Sequence, residues 1–440
     1  MSHATNLSRR KFLASSGIGL TAALQGQASR QQPRGRVKVA AIYTVFHHRS
    51  HAHVILEKFL RPYFFNGKRI QPPVEVVSFY ADQRLAEGDM TQDVSRQFKV
   101  PVYKTIADAL TLGGKELAVD AVLSIGEHGS YRTNKLGQVE YPRKRFFDEI
   151  TAVMRRSRRF VPLFNDKHLS YRWDWAREMY DTSRKLGIPL MAGSSVPLAQ
   201  RRPALALPAD AAVEEAVSIH GGGLESYDFH GLEVLQSIVE ARKGGEQGVS
   251  GVEFLTGDAL WRAAQQGRWS RQLAEAAMAA EFGDRKVPDL SRPIPGEKPE
   301  PAHGLLLTYR DGFKATVLKI GRSAVRWNFA CKLAGDKRLH ATSYYVGPWG
   351  NRCLFMALSH AIQDHFVQRR SPYPVERTLL TTGVLEAVMR SRQEGRRIAT
   401  PHLNFAYQPR DFTAFREMGA SWKTLEGVAE PRGINPIGDR

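Results

Sequence analysis

The stretch Val37–Leu60, VKVAAIYTVFHHRSHAHVILEKFL, decides the fold, because its pattern changes from that of a strand to that of a helix. Residues 37–42 are apolar except for Lys38, which is typical of a strand covered on both faces in a parallel sheet. After the turn, apolar residues recur with the helical period, and we expect Glu57 and Lys58 to face water. A strand that leads through a short turn into a helix predicts the first unit of an α/β domain.

The turn in this unit contains no glycine, whereas dinucleotide-binding domains carry G-x-G-x-x-G there and bind a pyrophosphate at the helix N-terminus. We therefore expect side chains to provide the cofactor or anion contacts, namely those of Tyr43, Thr44, His47, His48 and Arg49. Two alternatives are open: a metal site that uses the histidines between His47 and His53, and aromatic side chains that fill the cleft. We assign no metal ligand.

The chain continues as alternating strands and helices as far as residue 195. This alternation predicts a Rossmann-like, doubly wound parallel sheet. Asp82 follows the second long strand, where such domains bind a ribose, although it could instead cap the next helix. Glu127 and His128 follow a later strand at the same edge of the sheet. We include all three among the candidate cofactor-binding residues.

The N-terminus has the pattern of a twin-arginine export signal. Ser8-Arg9-Arg10-Lys11-Phe12-Leu13 precedes a weakly apolar stretch that ends in small residues. We predict a signal peptide over residues 1–28, a linker over 29–36, and a location in the periplasm or elsewhere outside the cytoplasm. No later segment has about 18 continuous apolar residues, so we expect no integral membrane segment. Cys331 and Cys353 could form a disulfide, but two cysteines alone do not establish one.

The 440 residues carry a net charge of +19, and the predicted signal contributes three of the cations and no acid. This charge favours anionic partners, but it is spread along the chain and accompanies no nucleic-acid motif, so we predict no nucleic-acid partner. Basic runs such as residues 143–145 are typical of solvated helix faces. The composition, 42% hydrophobic and 24% charged, is that of an ordinary globular protein, and the length predicts two domains.

The order of elements, together with several short segments, resembles the Gfo/Idh/MocA oxidoreductases. These segments are V-Y-x-T-I-A-D-A-L at 102–110, V-D-A-V-L at 119–123, Asp166-Lys167-His168 and L-G-I-P-L-M-A-G at 186–193. The resemblance implies a Rossmann-like domain over 37–200 and an α+β domain with an open, mostly antiparallel sheet over 201–440. It further implies NAD or NADP as cofactor and a carbohydrate-like small molecule as substrate. Whether the chain forms a homo-oligomer is left open.

The same resemblance implies the catalytic residues. The family has a Glu-Lys-Pro turn whose lysine binds substrate and relays protons, and Lys167 occupies that place with histidine where the family has proline. The family's glycine-rich strand with Asp-x-x-x-His is matched by residues 221–230, so His230 is the candidate base, oriented by Glu225 or Asp228. Asp166 joins the candidate cofactor-binding residues. A surface turn for Lys167 and a half-buried histidine bonded to backbone for His230 are the structural alternatives.

The sequence thus predicts an exported oxidoreductase that acts on a carbohydrate-like substrate with a tightly bound nicotinamide cofactor. The alternatives are a periplasmic carbohydrate-binding or accessory protein without a cofactor, and a metal-dependent lyase or hydrolase. Four aromatic side chains of the second domain could stack on a sugar, although core packing is their alternative role. They are Trp327, Tyr344, Tyr345 and Trp349.

Overall fold

A parallel sheet forms the first half of the chain, and its central strand begins the stretch quoted above. The computed structural model describes residues 35–434, and the predicted signal peptide lies outside this range. In chain order the elements are β1 (Val37–Tyr43), α1 (His51–Leu60), β2 (Tyr63–Phe65), β3 (Lys68–Ile70), β4 (Val74–Ala81), α2 (Thr91–Phe98), β5 (Val102–Tyr103), α3 (Ile106–Thr111), β6 (Ala121–Ile125), α4 (Arg143–Arg156), β7 (Leu163–Asp166), α5 (Trp173–Leu186) and β8 (Leu190–Gly193).

The six strands of this sheet are all parallel and follow the order β5-β4-β1-β6-β7-β8. The chain leaves β1 toward β4 on one side and later returns to β6 on the other, which is the doubly wound topology. The predicted Rossmann-like sheet is therefore confirmed. The carboxyl ends of β1, β4 and β6 lie side by side, because Tyr43 pairs with both Ala81 and Ile125.

An eight-stranded sheet dominates the second half. The elements are β9 (Gln200–Arg202), β10 (Val213–Gly221), α6 (Ser226–Val239), β11 (Val249–Thr256), α7 (Gly257–Gln265), α8 (Arg271–Phe282), β12 (His303–Tyr309), β13 (Lys314–Lys319), β14 (Ser323–Leu333), β15 (Leu339–Tyr345), α9 (Asn351–Gln368), α10 (Val375–Glu394), β16 (Ile398–Ala399) and α11 (Ala420–Thr424). The order is β16-β11-β12-β13-β10-β14-β15-β9, and only the β10–β13 pair is parallel. The predicted mostly antiparallel sheet is confirmed.

The two halves share a hydrophobic core, because the last long helices of the chain return to the first sheet. Helix α9 packs against α1, and α10 contacts both α5 and β8. One cluster of buried apolar side chains runs from β1 and α1 into the second sheet and α9. The cleft between the two sheets is consequently lined by residues from both halves.

The face of α1 that carries Glu57 and Lys58 is buried, so the expectation that these residues face water is wrong. Their side chains are 2% and 0% exposed. Arg352 of α9 donates to both carboxylate oxygens of Glu57, and Lys58 Nζ donates to Glu57 Oε2 at 2.8 Å. The apolar stripe on the other face of α1 could not indicate this, because the covering helix lies about 300 residues later in the chain.

Both cysteines are free thiols in the structure, and each is buried in a different place. Burial raises the pKa of Cys331 to about 12 and that of Cys353 to about 11. Within residues 35–434, no helix combines the length and the apolar character needed to cross a membrane.

Candidate active site

A cavity of about 400 Å³ lies where the carboxyl ends of the parallel strands meet the second sheet. Ligands bind at this edge in open α/β sheets, because loops and helix N-termini converge there. Polar side chains from both halves line it: His51, Glu127, His128, Lys167, Glu225 and His230. Of the four predicted catalytic residues, three therefore share one cavity.

Lys167 is buried in this cavity and paired with Glu127, so the alternative of a surface turn is wrong. Lys167 Nζ lies 2.9 Å from Glu127 Oε1, and both side chains are 6% exposed. Arg143 contacts the other oxygen of Glu127 and is itself fully buried, which corrects the expectation of a solvated basic run there. Burial alone would raise the pKa of Glu127, but the charges of Lys167 and Arg143 hold it well below its usual range.

The backbone at Lys167 is in the left-handed region, with φ at 63°. A non-glycine residue rarely adopts this conformation, and it costs on the order of 1 kcal/mol or more. The chain supports it through the bond from Arg143 Nε to the carbonyl of Asp166, at 3.2 Å. The turn therefore directs the Lys167 ammonium group into the cavity without the proline that the family has at the next position.

His51 and Asp166 form a second buried pair. His51 Nδ1 lies 2.6 Å from Asp166 Oδ2, and the two side chains are 9% and 1% exposed. A carboxylate that accepts from Nδ1–H leaves Nε2 as the free, basic nitrogen of the ring, which is how an aspartate prepares a histidine for proton abstraction. His51 lines the cavity, so this arrangement makes it a candidate general base. Asp166, predicted to contact a cofactor, is its orienting group.

Glu225 lies across the cavity at the N-terminus of α6. It is 5% exposed, its side chain accepts from the backbone N–H of Asp228, and its Oε1 lies 3.4 Å from His168 Nε2. Burial raises the pKa of Glu225 to about 7. Its φ of 67° is a further strained position at the cavity wall. A carboxyl group with this pKa is protonated in about half of the molecules at pH 7 and can serve there as a general acid.

His230 also faces the cavity, but Ser194 and not an acid holds it. Ser194 Oγ lies 2.6 Å from His230 Nδ1. Burial lowers the pKa of His230 well below its ordinary value, so the ring is neutral at pH 7. The structural alternative for His230 was a hydrogen bond to the backbone. The bond is instead made with the hydroxyl group of Ser194.

Asp228 points away from the cavity, which corrects its predicted role as a partner of His230. Asp228 Oδ1 lies 2.9 Å from His220 Nε2 and 2.7 Å from His303 Nε2. Burial would raise the pKa of Asp228, but the two histidines hold it below its usual range. Asp228 Oδ2 accepts from the backbone N–H of Glu225 at 2.7 Å. Asp228 thus positions Glu225 through the backbone.

Within the described residues, the group His220, Asp228 and His303 is the one set of three potential metal ligands close enough to share an ion. The predicted alternative, a metal held by the histidines of the first turn, is not formed: His51 bonds Asp166, and His53 Nδ1 accepts from the backbone of Arg49 at 2.8 Å. These rings point in different directions because α1 begins only at His51.

The predicted cofactor-binding residues do not form an open groove. Tyr43 is fully buried among Phe46 and Phe79, and Thr44 donates to the carbonyl of Glu127. His48 and Arg49 are exposed near Glu430. His47 is half-buried, with its ring against that of His128. His128 is half-buried, and desolvation lowers its pKa to about 3.

Both carboxylate oxygens of Asp82, the predicted ribose ligand, already accept hydrogen bonds. Its carboxylate accepts from Tyr80 and Tyr131, each at 2.8 Å, and also from Arg145. It does not cap the next helix, which begins after Met90. These residues therefore do not fit a dinucleotide placed in the usual way, because the groups that would receive its ribose hydroxyls have partners within the chain.

An aromatic wall closes one side of the cavity. Tyr227 stacks on Trp327 with ring centroids 4.9 Å apart and planes at 13°. Of the four aromatic residues considered from sequence, Trp327 lines this cavity, whereas Tyr344 is packed in the core. Tyr345 and Trp349 lie at a different, open surface cleft beside Trp422. Both rings line the cavity and give it an apolar wall.

Gly222 gives the wall its position, and replacing it by alanine tests this. A Cβ atom at Gly222 would lie 1.9 Å from the ring of Tyr227, which must then leave its stack. We expect Gly222→Ala to cost about 1–3 kcal/mol of stability and to raise the KM for substrate. The matched control is Gly223→Ala, where the added methyl group meets nothing within 4 Å. Thermal unfolding and substrate titration of both variants provide the measurement, and equal behaviour would contradict the assignment.

Several residues of the site were not predicted as catalytic. Arg143, His51 and Ser194 come from α4, α1 and the end of β8, far apart in sequence. His51 and Ser194 could have been found from their positions at the start of a helix and the end of a strand, because such residues converge at this edge of the sheet. Arg143 had no such signal, since it stands in a basic run beside exposed cations.

Comparisons with known proteins establish the fold. No family model matches the sequence, and no curated protein is significantly similar to it. A probable dehydrogenase from Thermotoga maritima superposes with a TM-score of 0.51 at 11% identity, covering 83% of this chain and 100% of that chain. GenD2 from gentamicin A biosynthesis, in complex with NAD, superposes with a TM-score of 0.52 at 14% identity, covering 83% and 96%.

These structural neighbours are Gfo/Idh/MocA-family oxidoreductases. The fold expected from the resemblance is therefore confirmed. At 11% and 14% identity, the similarity shows a common fold and not a common activity.

Proposed function

We propose that this chain is an enzyme that binds a small carbohydrate-like substrate in the central cavity and transfers protons to and from it. The observation that carries this proposal is the pairing, around one cavity, of an oriented base and a protonated acid. His51 is held by Asp166 at 2.6 Å, and Glu225 has a pKa raised to about 7 by burial. Proton transfer requires groups of this kind in matched protonation states.

Each residue has a role in such a step. His51 Nε2 accepts a proton from a substrate hydroxyl group or from a carbon next to a carbonyl group. The Lys167 ammonium group stabilises the negative charge that forms on the substrate oxygen, and Glu127 holds that ammonium group in place. Glu225 returns a proton. His230 is neutral and donates or accepts a hydrogen bond to a substrate hydroxyl group.

The substrate class is inferred from the lining of the cavity. One wall consists of the Tyr227–Trp327 stack, and the other walls carry hydrogen-bonding side chains. An apolar face beside several hydroxyl groups is the surface that a sugar or a cyclic polyol presents. The volume of about 400 Å³ suits a molecule of one or two rings.

Dehydrogenation with NAD or NADP is the second candidate function. The shared fold supports it, because one solved structure of this fold holds NAD. The occupied Asp82 and the closed first turn weigh against it. Export through the twin-arginine route also remains part of the proposal, supported by residues 8–13.

The experiment that tests the proposed function measures proton exchange directly. The purified protein is incubated in D₂O with a panel of aldoses, ketoses, uronic acids and inositols, and loss of C–H signals is followed by NMR. We expect exchange with at least one of them, and we expect His51→Ala to abolish it. A panel that binds without exchange would instead identify a carbohydrate-binding protein.

Glu225 makes the reaction depend on pH in a defined direction. The protonated form is the acid, so we expect kcat to fall about tenfold for each pH unit above pH 7. Glu225→Gln cannot ionise, and its lower rate should not vary with pH over the same range. A wild-type rate that is constant from pH 6 to pH 9 would remove Glu225 from the acid role.

A further inference from the structure

The crevice in which doubly wound sheets hold a dinucleotide is closed by the chain itself. Backbone bonds continue beyond the ends of β1 and β4: Asp82 N donates to Tyr43 O and Gln83 N donates to Thr44 O, each at 2.9 Å. These bonds join the connections that leave β1 and β4, on one side of the point where the strand order reverses; on its other side, between β1 and β6, Thr44 N donates to Ile125 O at 3.2 Å.

The donors of the first turn are satisfied in the same way. Ser50 Oγ accepts from the backbone N–H groups of His47 at 3.1 Å and His53 at 3.3 Å. The N–H of Arg49 donates to His53 Nδ1. In a dinucleotide-binding turn such groups remain free for phosphate oxygens. Here a pyrophosphate would have to displace bonds that already exist.

A third segment lies over the crevice. We call residues 128–131, which follow β6, the cover segment. Ser130 N donates to Gln83 Oε1 at 2.9 Å, and Gln83 Nε2 donates to Ser130 O at 2.8 Å. Tyr131 donates to Asp82, in the place where a ribose hydroxyl would bond.

The packing beneath the cover segment is tight. A Cβ atom at Gly129 would lie 2.9 Å from Gln83 Oε1, 2.9 Å from the Tyr131 ring and 3.4 Å from Val45 Cγ1. The closest atoms belong to the side chains of Gln83 and Tyr131, so a ribose and two phosphates in this place require those side chains and the cover segment to move. Leaving exposes the Asp82 carboxylate and breaks both bonds of Gln83, which adds a cost to dinucleotide binding.

We infer that the cover segment replaces the dinucleotide, so that the central cavity performs redox-neutral proton transfer on a carbonyl-bearing carbohydrate. The closure of the crevice is inferred from the contacts described above, whereas the class of reaction rests on the proposed function. His51 takes the proton from the carbon next to the carbonyl, the electron pair of that C–H bond forms a C=C bond, and the π pair of the carbonyl moves onto its oxygen beside Lys167. The carbonyl forms again as Glu225 protonates the same carbon; His51 then gives its proton to water, and Glu225 takes one from water. No electrons leave the substrate.

The first test measures nicotinamide binding. One sample of the protein is denatured, and the released molecules are analysed by mass spectrometry. A second, native sample is titrated with NAD⁺, NADH, NADP⁺ and NADPH by calorimetry. We expect no nicotinamide and no saturable binding up to about 1 mM, a range in which dehydrogenases bind. Stoichiometric nicotinamide or saturable binding would overturn the inference and leave the D₂O exchange assay unaffected.

The second test measures the cover segment itself by hydrogen exchange. We expect the amide of Ser130 to be protected in the wild-type protein and to exchange at least tenfold faster in Gln83→Ala, which removes its acceptor. Gln97→Ala is the matched control, because among residues 35–434 that side chain donates to the carbonyl of Ile434 and has no bond to the cover segment. Rapid exchange of Ser130 in the wild-type protein would show that the segment is open and would refute the closed crevice.

Discussion

Replacing Lys167 by methionine will lower kcat by about 100-fold to 10,000-fold, which is the range for loss of a charged group at the reacting centre. The ammonium group is buried and is fixed by Glu127 at 2.9 Å. Methionine has a similar length but no charge, so it cannot stabilise the oxyanion of the proposed step. Arg143 still neutralises Glu127 in the variant, and for this reason we expect the fold to persist. The rate of substrate C–H exchange in D₂O is the measurement.

Lys144→Met is the matched control for that variant. Lys144 also belongs to the first half of the chain, in α4, but it pairs with the exposed side chains of Asp148 and Glu178. We expect its exchange rate to equal that of the wild-type protein. If Lys167→Met retained full turnover while remaining folded, Lys167 would have no part in the reaction, and the cavity would need another cation.

The first half of the fold could be predicted because its signals are local. Each buried strand is a short apolar run, and each helix carries its own stripe, so the order of the elements follows from residues close in sequence. The second half was predicted less fully. Residues 258–281 form a single helical pattern, yet the chain breaks into α7 and α8, since Gly267 adopts a φ of 69° and Ser270 caps the second helix.

The candidate site was predictable where short segments match the family pattern. Lys167, Glu225 and His230 were predicted from the resemblance to the Gfo/Idh/MocA family, and all three line the cavity. Partners were not predictable, because a hydrogen-bond partner depends on how distant elements pack. His230 pairs with Ser194 rather than with Asp228, and nothing in the local sequence distinguishes these two outcomes.

The cover segment also could not be predicted from the sequence. The absence of glycine in the first turn indicated that a dinucleotide lacks its usual contacts there, but not what takes its place. The bonds from Ser130 and Tyr131 to Gln83 and Asp82 join residues nearly fifty positions apart. Only the fold brings these residues together. The sequence could therefore indicate that the glycine-rich turn is missing, but not that the cover segment takes the place of the dinucleotide.

The largest effect on stability is expected at Glu57, whose carboxylate lies between two buried cations. Glu57→Ala leaves Lys58 and Arg352 charged in the interior without the carboxylate they share, with Glu430 still 3.7 Å from Arg352, and we expect it to lower the free energy of unfolding by about 3–5 kcal/mol. Although burial would raise the pKa of Glu57, the two cations lower it. The pair's contribution is therefore present above the unfolded-state pKa and is lost as the pH falls. Urea unfolding at several pH values measures both effects.

The triple variant Glu57→Leu, Lys58→Met and Arg352→Met separates the cost of broken pairing from the cost of lost contacts. It removes all three charges and fills the same space with apolar side chains. Buried ion pairs replaced in this way often lose little stability, because the desolvation penalty of the charges disappears with them. We expect the triple variant to unfold within about 1 kcal/mol of the wild-type protein and to lose the dependence on acid pH. If it were as unstable as Glu57→Ala, the network would be needed to hold α9 against α1, and the join between the two halves of the cleft would depend on charge rather than on apolar packing.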